Sequence, residues 1–179
     1  ITYFFVLLAT FSLVGVVGCF FVKKTDEKRV IKRVMLCLAL LCGFLVCVLL
    51  MDYESFDYLT YLKVWYESYE KSSVSQALYS IVDVSDYTPA YNYFLIFFAK
   101  TGLNALYSIK YLTFLFSILF AFIVEKIISH IKDEKFSIVR FSIILVLPVL
   151  LMEYSSWGQC DAIYTSFALL AFLFALKKK

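Results

Sequence analysis

Hydrophobic residues fall into runs separated by short polar stretches. Four runs, 2–22, 34–51, 106–128 and 136–152, reach or nearly reach the roughly 20 residues needed to cross a bilayer as helix. A fifth, 162–176, is shorter and is followed by three lysines whose stems can reach the interface. A sixth, 89–99, has only eleven residues, the length of a re-entrant or interfacial segment. The pattern predicts an all-α, polytopic transmembrane helical bundle of about five spanning helices plus a re-entrant or short segment. Residues 1–179 form one transmembrane domain in this reading.

The polar stretches orient the bundle. Segment 23–33 holds six basic and two acidic residues, which marks it as cytoplasmic. Segment 52–91 holds seven acids and two lysines, which suits the external side. If 89–99 dips in and returns, 126–135 is cytoplasmic, 153–161 is external and the C-terminal lysines lie inside. If it crosses, these assignments invert. The first arrangement is preferred, because it gathers the unusual polar residues on one side and puts the lysines on the favoured one.

Composition agrees: 63% of residues are hydrophobic, 17% are charged, and mean hydropathy is +0.84. A net charge of +3, spread over loops, gives no basic face for nucleic acid. The five cysteines make no CxxC or Cys/His ligand pattern, and four lie in apolar runs as small packing residues. The acids of 52–91 have no recognisable ligand spacing, so no metal or other cofactor is expected. Gly15, Gly18, Cys19, Ala39 and Gly43 are the small residues expected where helices pack. The chain opens at Ile1 without a methionine and stops on lysines after an apolar run, as a piece of a longer polytopic protein would.

Three polar constellations interrupt the apolar pattern. In 54–71, Phe56, Leu59, Leu62, Tyr66 and Tyr69 recur at helical spacing, which predicts an aromatic-rich helix in the external interface. Ser55 is its candidate N-cap and Asp57 lies in its first turn, either as a complement to the helix dipole or as a functional carboxylate. In Asp86-Tyr87-Thr88-Pro89, Thr88 and Pro89 have the residue types of an N-cap and a first helical position, with Asp86 beside them. The third, Glu153 to Asp161, includes Trp157, Gly158 and Gln159; Asp161 is either the N-cap of the last helix or part of a site.

Other charged residues have plainer readings. His130, the only histidine, belongs to an interfacial loop. Arg140 and Lys110 either snorkel or hold a phosphate, and Glu125 pairs with a neighbour near a helix end.

In their order along the chain, Ser-Phe-Asp-Tyr followed by Trp-Tyr-Glu at 55–67, Asp-Tyr-Thr-Pro at 86–89 and Ser-Ser-Trp-Gly-Gln-Cys-Asp at 155–161 resemble the integral-membrane glycosyltransferases of the C-type superfamily (GT-C). The likeness spans 52–179 and is nearest to the N-terminal part of bacterial mannosyltransferase-like members. It implies inverting transfer of a sugar from a polyprenyl-phosphate-linked donor to a hydroxyl of a glycan, lipid or protein acceptor, on the external face of a bacterial cell membrane.

By the same resemblance, Asp57 matches the general base, and Asp86, Tyr87, Trp157, Gln159 and Asp161 match substrate-binding positions. Thr88 departs from the double-proline form of the second motif. Of the His-Phe-Gln-Tyr-Asn run of some relatives only the glutamine is kept, so the sugar is not implied. Lys63, Lys71 and Arg140 are the cations on or near that side that a donor phosphate would meet. A transporter or flippase of lipid-linked glycans, or a non-catalytic or polymerase subunit, shares the composition. The absence of charge in the first two apolar runs, with acids gathered at one edge, favours surface chemistry over transport.

Overall fold

The computed structural model describes residues 2–22 and 28–178. Lys23, Lys24, Asp26 and Glu27 of the basic segment, and Lys179, lie outside the described residues. Those described are helical and form no strand. Ten α-helices follow in order: α1 (Thr2–Phe21), α2 (Arg29–Leu49), α3 (Lys63–Lys71), α4 (Val74–Tyr79), α5 (Ile81–Val84), α6 (Pro89–Ala99), α7 (Ala105–Ile131), α8 (Ile138–Leu145), α9 (Pro148–Met152) and α10 (Asp161–Lys177). A π-helical turn, Tyr58–Leu62, leads into α3, and a second, Glu153–Trp157, follows α9.

Helices α1, α2 and α7 are long and apolar enough to cross a membrane, and a fourth span results if the bent pair Ile138–Leu145 and Pro148–Trp157 counts as one. The apolar run 136–152 is not one continuous helix: the pair bends by 54°. Pro148 cannot donate a backbone hydrogen bond and disfavours the helical conformation at Leu147, so the chain breaks there and restarts. Helix α10 has 17 residues, about 25 Å at 1.5 Å per residue. Helix α2 starts at Arg29, so Arg29, Lys32 and Arg33 belong to a helix expected to carry no charge.

Two large hydrophobic cores, with a small third around Ile123, Ile127 and Leu173, pack the described residues. The first joins α1, α2, α7, α8 and α9 around Leu7, Phe11, Leu36, Phe114 and Tyr154. Phe11 stacks on Phe114 at 4.6 Å between ring centroids, and Phe114 meets Tyr154 at 5.2 Å. Gly43 makes this crossing possible: a Cβ there would lie 3.1 Å from both the Phe11 ring and the Tyr154 hydroxyl. The second core joins the segment before α3, α3, α4, α6, α7 and α10 around Tyr58, Tyr66, Tyr69, Tyr91 and Leu95. It underlies the three polar constellations.

Buried charges in the long helices have partners. The Lys110 ammonium of α7 donates to the carbonyls of Leu50 and Tyr53, both at 2.7 Å, and of Met51 at 3.3 Å. It thereby satisfies carbonyls just past the end of α2, which have no intrahelical donor. Toward the other end of α7, Arg140 Nε donates to Glu125 Oε2 at 2.8 Å and Arg140 Nη1 to Glu134 Oε2 at 2.6 Å. Glu125 is fully buried and also accepts from Ser129 and the Ser137 backbone.

Candidate functional site

The first constellation is built by a cap. The Ser55 hydroxyl accepts the Tyr58 N–H at 3.1 Å, as an N-cap does, and the chain is helical from 56. The apolar stripe differs from the expected one: Tyr58, Leu62, Trp65, Tyr66 and Tyr69 are buried, whereas Phe56 and Leu59 are 76% and 47% exposed. The π-helical turn over 58–62 adds a residue to one turn, so the buried face shifts to Tyr58 before it and keeps the predicted spacing after it. Asp57, one residue before that turn, is half-buried.

The third constellation is helical for longer than its polarity suggests. Glu153–Trp157 continues α9 as a π-helical turn, and only then does the chain reverse. Gly158 makes the reversal at φ +66°, a left-handed conformation that glycine adopts without steric cost. Its N–H donates to the Glu153 carbonyl at 2.7 Å. The Gln159 carbonyl accepts the Thr113 hydroxyl of α7 at 2.9 Å, which fixes where its side chain starts.

These two segments meet, 102 residues apart in sequence. The Gln159 side-chain amide donates to Asp57 Oδ2, and the Ser55 hydroxyl donates to the Trp157 carbonyl at 3.3 Å. The second constellation joins them. Thr88 donates through its hydroxyl to the Tyr164 oxygen of α10 at 2.8 Å. The Tyr87 ring packs edge-on against Trp65 at 4.9 Å and lies 5.6 Å from Tyr91.

The electrostatics reflect burial among acids. Desolvation pushes the Tyr87 phenol up to about 12, with Cys160, Asp161 and Asp57 adding to the effect. Burial, helped by Asp161, likewise pushes the Cys160 thiol up to about 11. Both groups are therefore neutral near pH 7.

Of the six residues singled out in the sequence, Asp57, Tyr87 and Gln159 come together most directly. Asp161 opens α10, exposed, close enough for its charge to act on Tyr87 and Cys160. It is not the N-cap: the residue in that position is Cys160, and Glu153 Oε1 accepts the Ala162 N–H at 2.7 Å in place of a cap. Trp157 contributes its carbonyl, while its side chain is exposed. Asp86 stays exposed at the bend before α6 and takes no part in these contacts. Thr88 precedes α6 with extended backbone and Pro89 occupies its first turn, as expected, but the Thr88 hydroxyl is used on Tyr164 rather than as a cap.

The expected cations are committed elsewhere. Arg140 lies with Glu125 and Glu134, toward the end of α7 remote from Asp57. Lys71 pairs with Glu67 at 3.5 Å, and Lys63 lies 4.0 Å from Glu54. Lys63 also lines a cavity of about 610 Å³ with Asp52, Glu54, Glu67 and Glu70. Among the described residues, no group of three or more His, Cys, Asp or Glu is gathered to hold a metal ion.

Sequence reasoning did not single out Lys100 or Tyr164. Lys100 donates to the carbonyls of Tyr69, Glu70 and Ser72, closing the C-terminal end of α3 with a positive charge, the sign that a helix C-terminus favours. Its place just past the apolar run 89–99 was the available signal. No family model, curated protein or solved structure matches the chain.

Proposed function

We propose that this chain belongs to a membrane glycosyltransferase that moves a sugar from a polyprenyl-phosphate-linked donor to an acceptor hydroxyl, with inversion, using Asp57 as general base. The observation that carries the reading is the hydrogen bond between Asp57 and Gln159. Two of the three motifs that resemble the C-type transferases supply its two ends, and the third is tied to the start of α10 through Thr88 and Tyr164.

The chemistry follows from that pairing. The Gln159 amide engages Oδ2 and leaves Oδ1 to accept a proton. The acceptor hydroxyl passes its proton to Oδ1 as its oxygen bonds to the anomeric carbon, while the bond from that carbon to the phosphate oxygen breaks and polyprenyl phosphate departs. A base held at fixed geometry contributes through positioning as well as basicity. Lys63, on this side, supplies a cation for the phosphate, and it already has an acidic neighbour.

The proposed topology places this site on the external face, with the helix containing Asp57 in the interface and α10 as a further span. In support of a re-entrant α6, both of its ends are tied to the same end of the bundle. Thr88 reaches Tyr164 near the start of α10, and Lys100 holds the end of α3. The start of α7 meets the residues that follow α2 through Lys110.

The test is sugar transfer from a polyprenyl-phosphate donor in membranes carrying the protein that contains this chain. Asp57→Asn should lower transfer by about a hundred- to ten-thousand-fold at unchanged expression and folding. Gln159→Ala, which leaves the carboxylate but frees it, should give a smaller loss, about tenfold, in kcat. Transfer near the wild-type rate in Asp57→Asn would overturn the assignment. A wild type that transfers nothing but moves lipid-linked glycan across vesicles would replace the enzyme with a transporter.

A further inference from the structure

Helices α1 and α2 leave between them a groove of about 620 Å³, which extends toward the end of α2 opposite Asp57. Ser12, Gly15 and Cys19 line it from α1, and Arg33, Cys37 and Phe44 from α2. From Arg33 to Phe44 is eleven residues, so the groove runs about 17 Å along the helix axis, close to the depth of one leaflet of a hydrocarbon core about 30 Å thick. Its walls are apolar along that length, and its one charged residue, Arg33, sits at the end nearest the basic segment.

Arg33 is not fully satisfied by the protein. Its Nη2 donates to the Cys19 carbonyl at 3.3 Å, but its buried Nε has no hydrogen-bond partner among the described residues. A guanidinium donor removed from water and left unpaired is costly, and phosphate is the group whose oxygens its planar fork fits best. A second apolar groove, of about 470 Å³ between α1, α7 and α8, carries no charged residue and shows what an ordinary chain-facing crevice looks like here.

From the apolar length, the positive end and the unpaired donor together, we infer that the α1–α2 groove binds an anionic diacyl phospholipid, its acyl chain along the groove and its phosphate on Arg33. The inference requires that α1 and α2 lie in a bilayer; it does not depend on the transferase reading. The bound lipid belongs to the leaflet opposite Asp57, because Arg33 and Leu49 are sixteen residues apart on α2, about 24 Å.

The experiment uses the protein in nanodiscs of phosphatidylcholine with or without phosphatidylglycerol, reading lipid retained by native mass spectrometry and the thermal midpoint. Wild type should retain phosphatidylglycerol in preference to phosphatidylcholine and melt higher in its presence. Arg33→Gln should weaken that preference about tenfold, the scale of a charge-assisted hydrogen-bonded contact. Ser12→Phe, which fills the groove and keeps the charge, should weaken it as well and carries the test if Arg33→Gln does not fold. Arg29→Gln should leave it unchanged. Equal retention of the two lipids by wild type, or equal losses in Arg33→Gln and Arg29→Gln, would overturn the site. Retention of polyprenyl phosphate in place of phosphatidylglycerol would overturn the occupant.

Discussion

At the scale of single residues, burial sets the protonation of the groups around Asp57. Tyr87 and Cys160 hold their protons more tightly in the folded chain than in the unfolded one, at about 12 and about 11 against ordinary values of 10.0 and 9.0. A raised folded value means that this contribution to stability is complete below the unfolded value and is lost as pH rises through the folded one. The thermal midpoint should therefore be insensitive to this pair up to pH 9 and fall between pH 9 and 12. Cys160→Ala should make the fall that begins at pH 9 shallower, and a thiol reagent should leave Cys160 unmodified in the native protein at neutral pH. Melting curves from pH 7 upward check this; a midpoint that does not drop above pH 9 would show that neither group is held in its neutral form.

At the scale of elements, apolar periodicity located the helices but not their interruptions. A run such as 136–152 carries the same average hydropathy whether it is straight or bent, and Pro148 with the π-helical turn after it decides the shape. The same holds for 58–62, where a π-helical turn moved the buried face by one residue. Between α7 and α8 the Glu125–Arg140 pair fixes how two helices meet. Arg140→Met leaves the fully buried Glu125 carboxylate without its cation and should cost about 3–5 kcal/mol, whereas Glu125→Leu leaves Arg140 partly exposed and still paired with Glu134 and should cost less. The double variant Glu125→Leu with Arg140→Met should cost less than the sum of the two single changes, because it leaves no buried carboxylate without its cation. Unfolding of the four proteins in the same detergent gives the comparison, and additive losses would refute the coupling.

At the scale of the whole molecule, the two cores divide the labour: one packs the long helices, the other supports the end where the three motifs meet. The proposed topology puts Tyr79, 87% exposed on α4, and Lys132, exposed just beyond α7, on opposite sides of the membrane. In a chain whose native cysteines are replaced by alanine, Tyr79→Cys and Lys132→Cys should be labelled by an impermeant maleimide from opposite sides of sealed vesicles. Labelling from one side only would mean that α7 does not span.

Length and hydropathy by themselves determined that the chain is helical, where its long helices run, and which three polar segments interrupt them, because burying a helical backbone in an apolar medium demands long uninterrupted apolar runs. Local chemistry determined the cap at Ser55 and the helix start at Pro89. Only the tertiary structure decided that Asp57 is paired with Gln159, that Glu153 rather than Asp161 caps α10, and that Arg140 is bound to Glu125 far from the other motifs. Those outcomes depend on contacts between segments separated by nine to about a hundred residues. Spacing within a segment carries no information about which distant segment will supply the partner, and the packing of α7 against α10 and against the turn at Gly158 supplied it here.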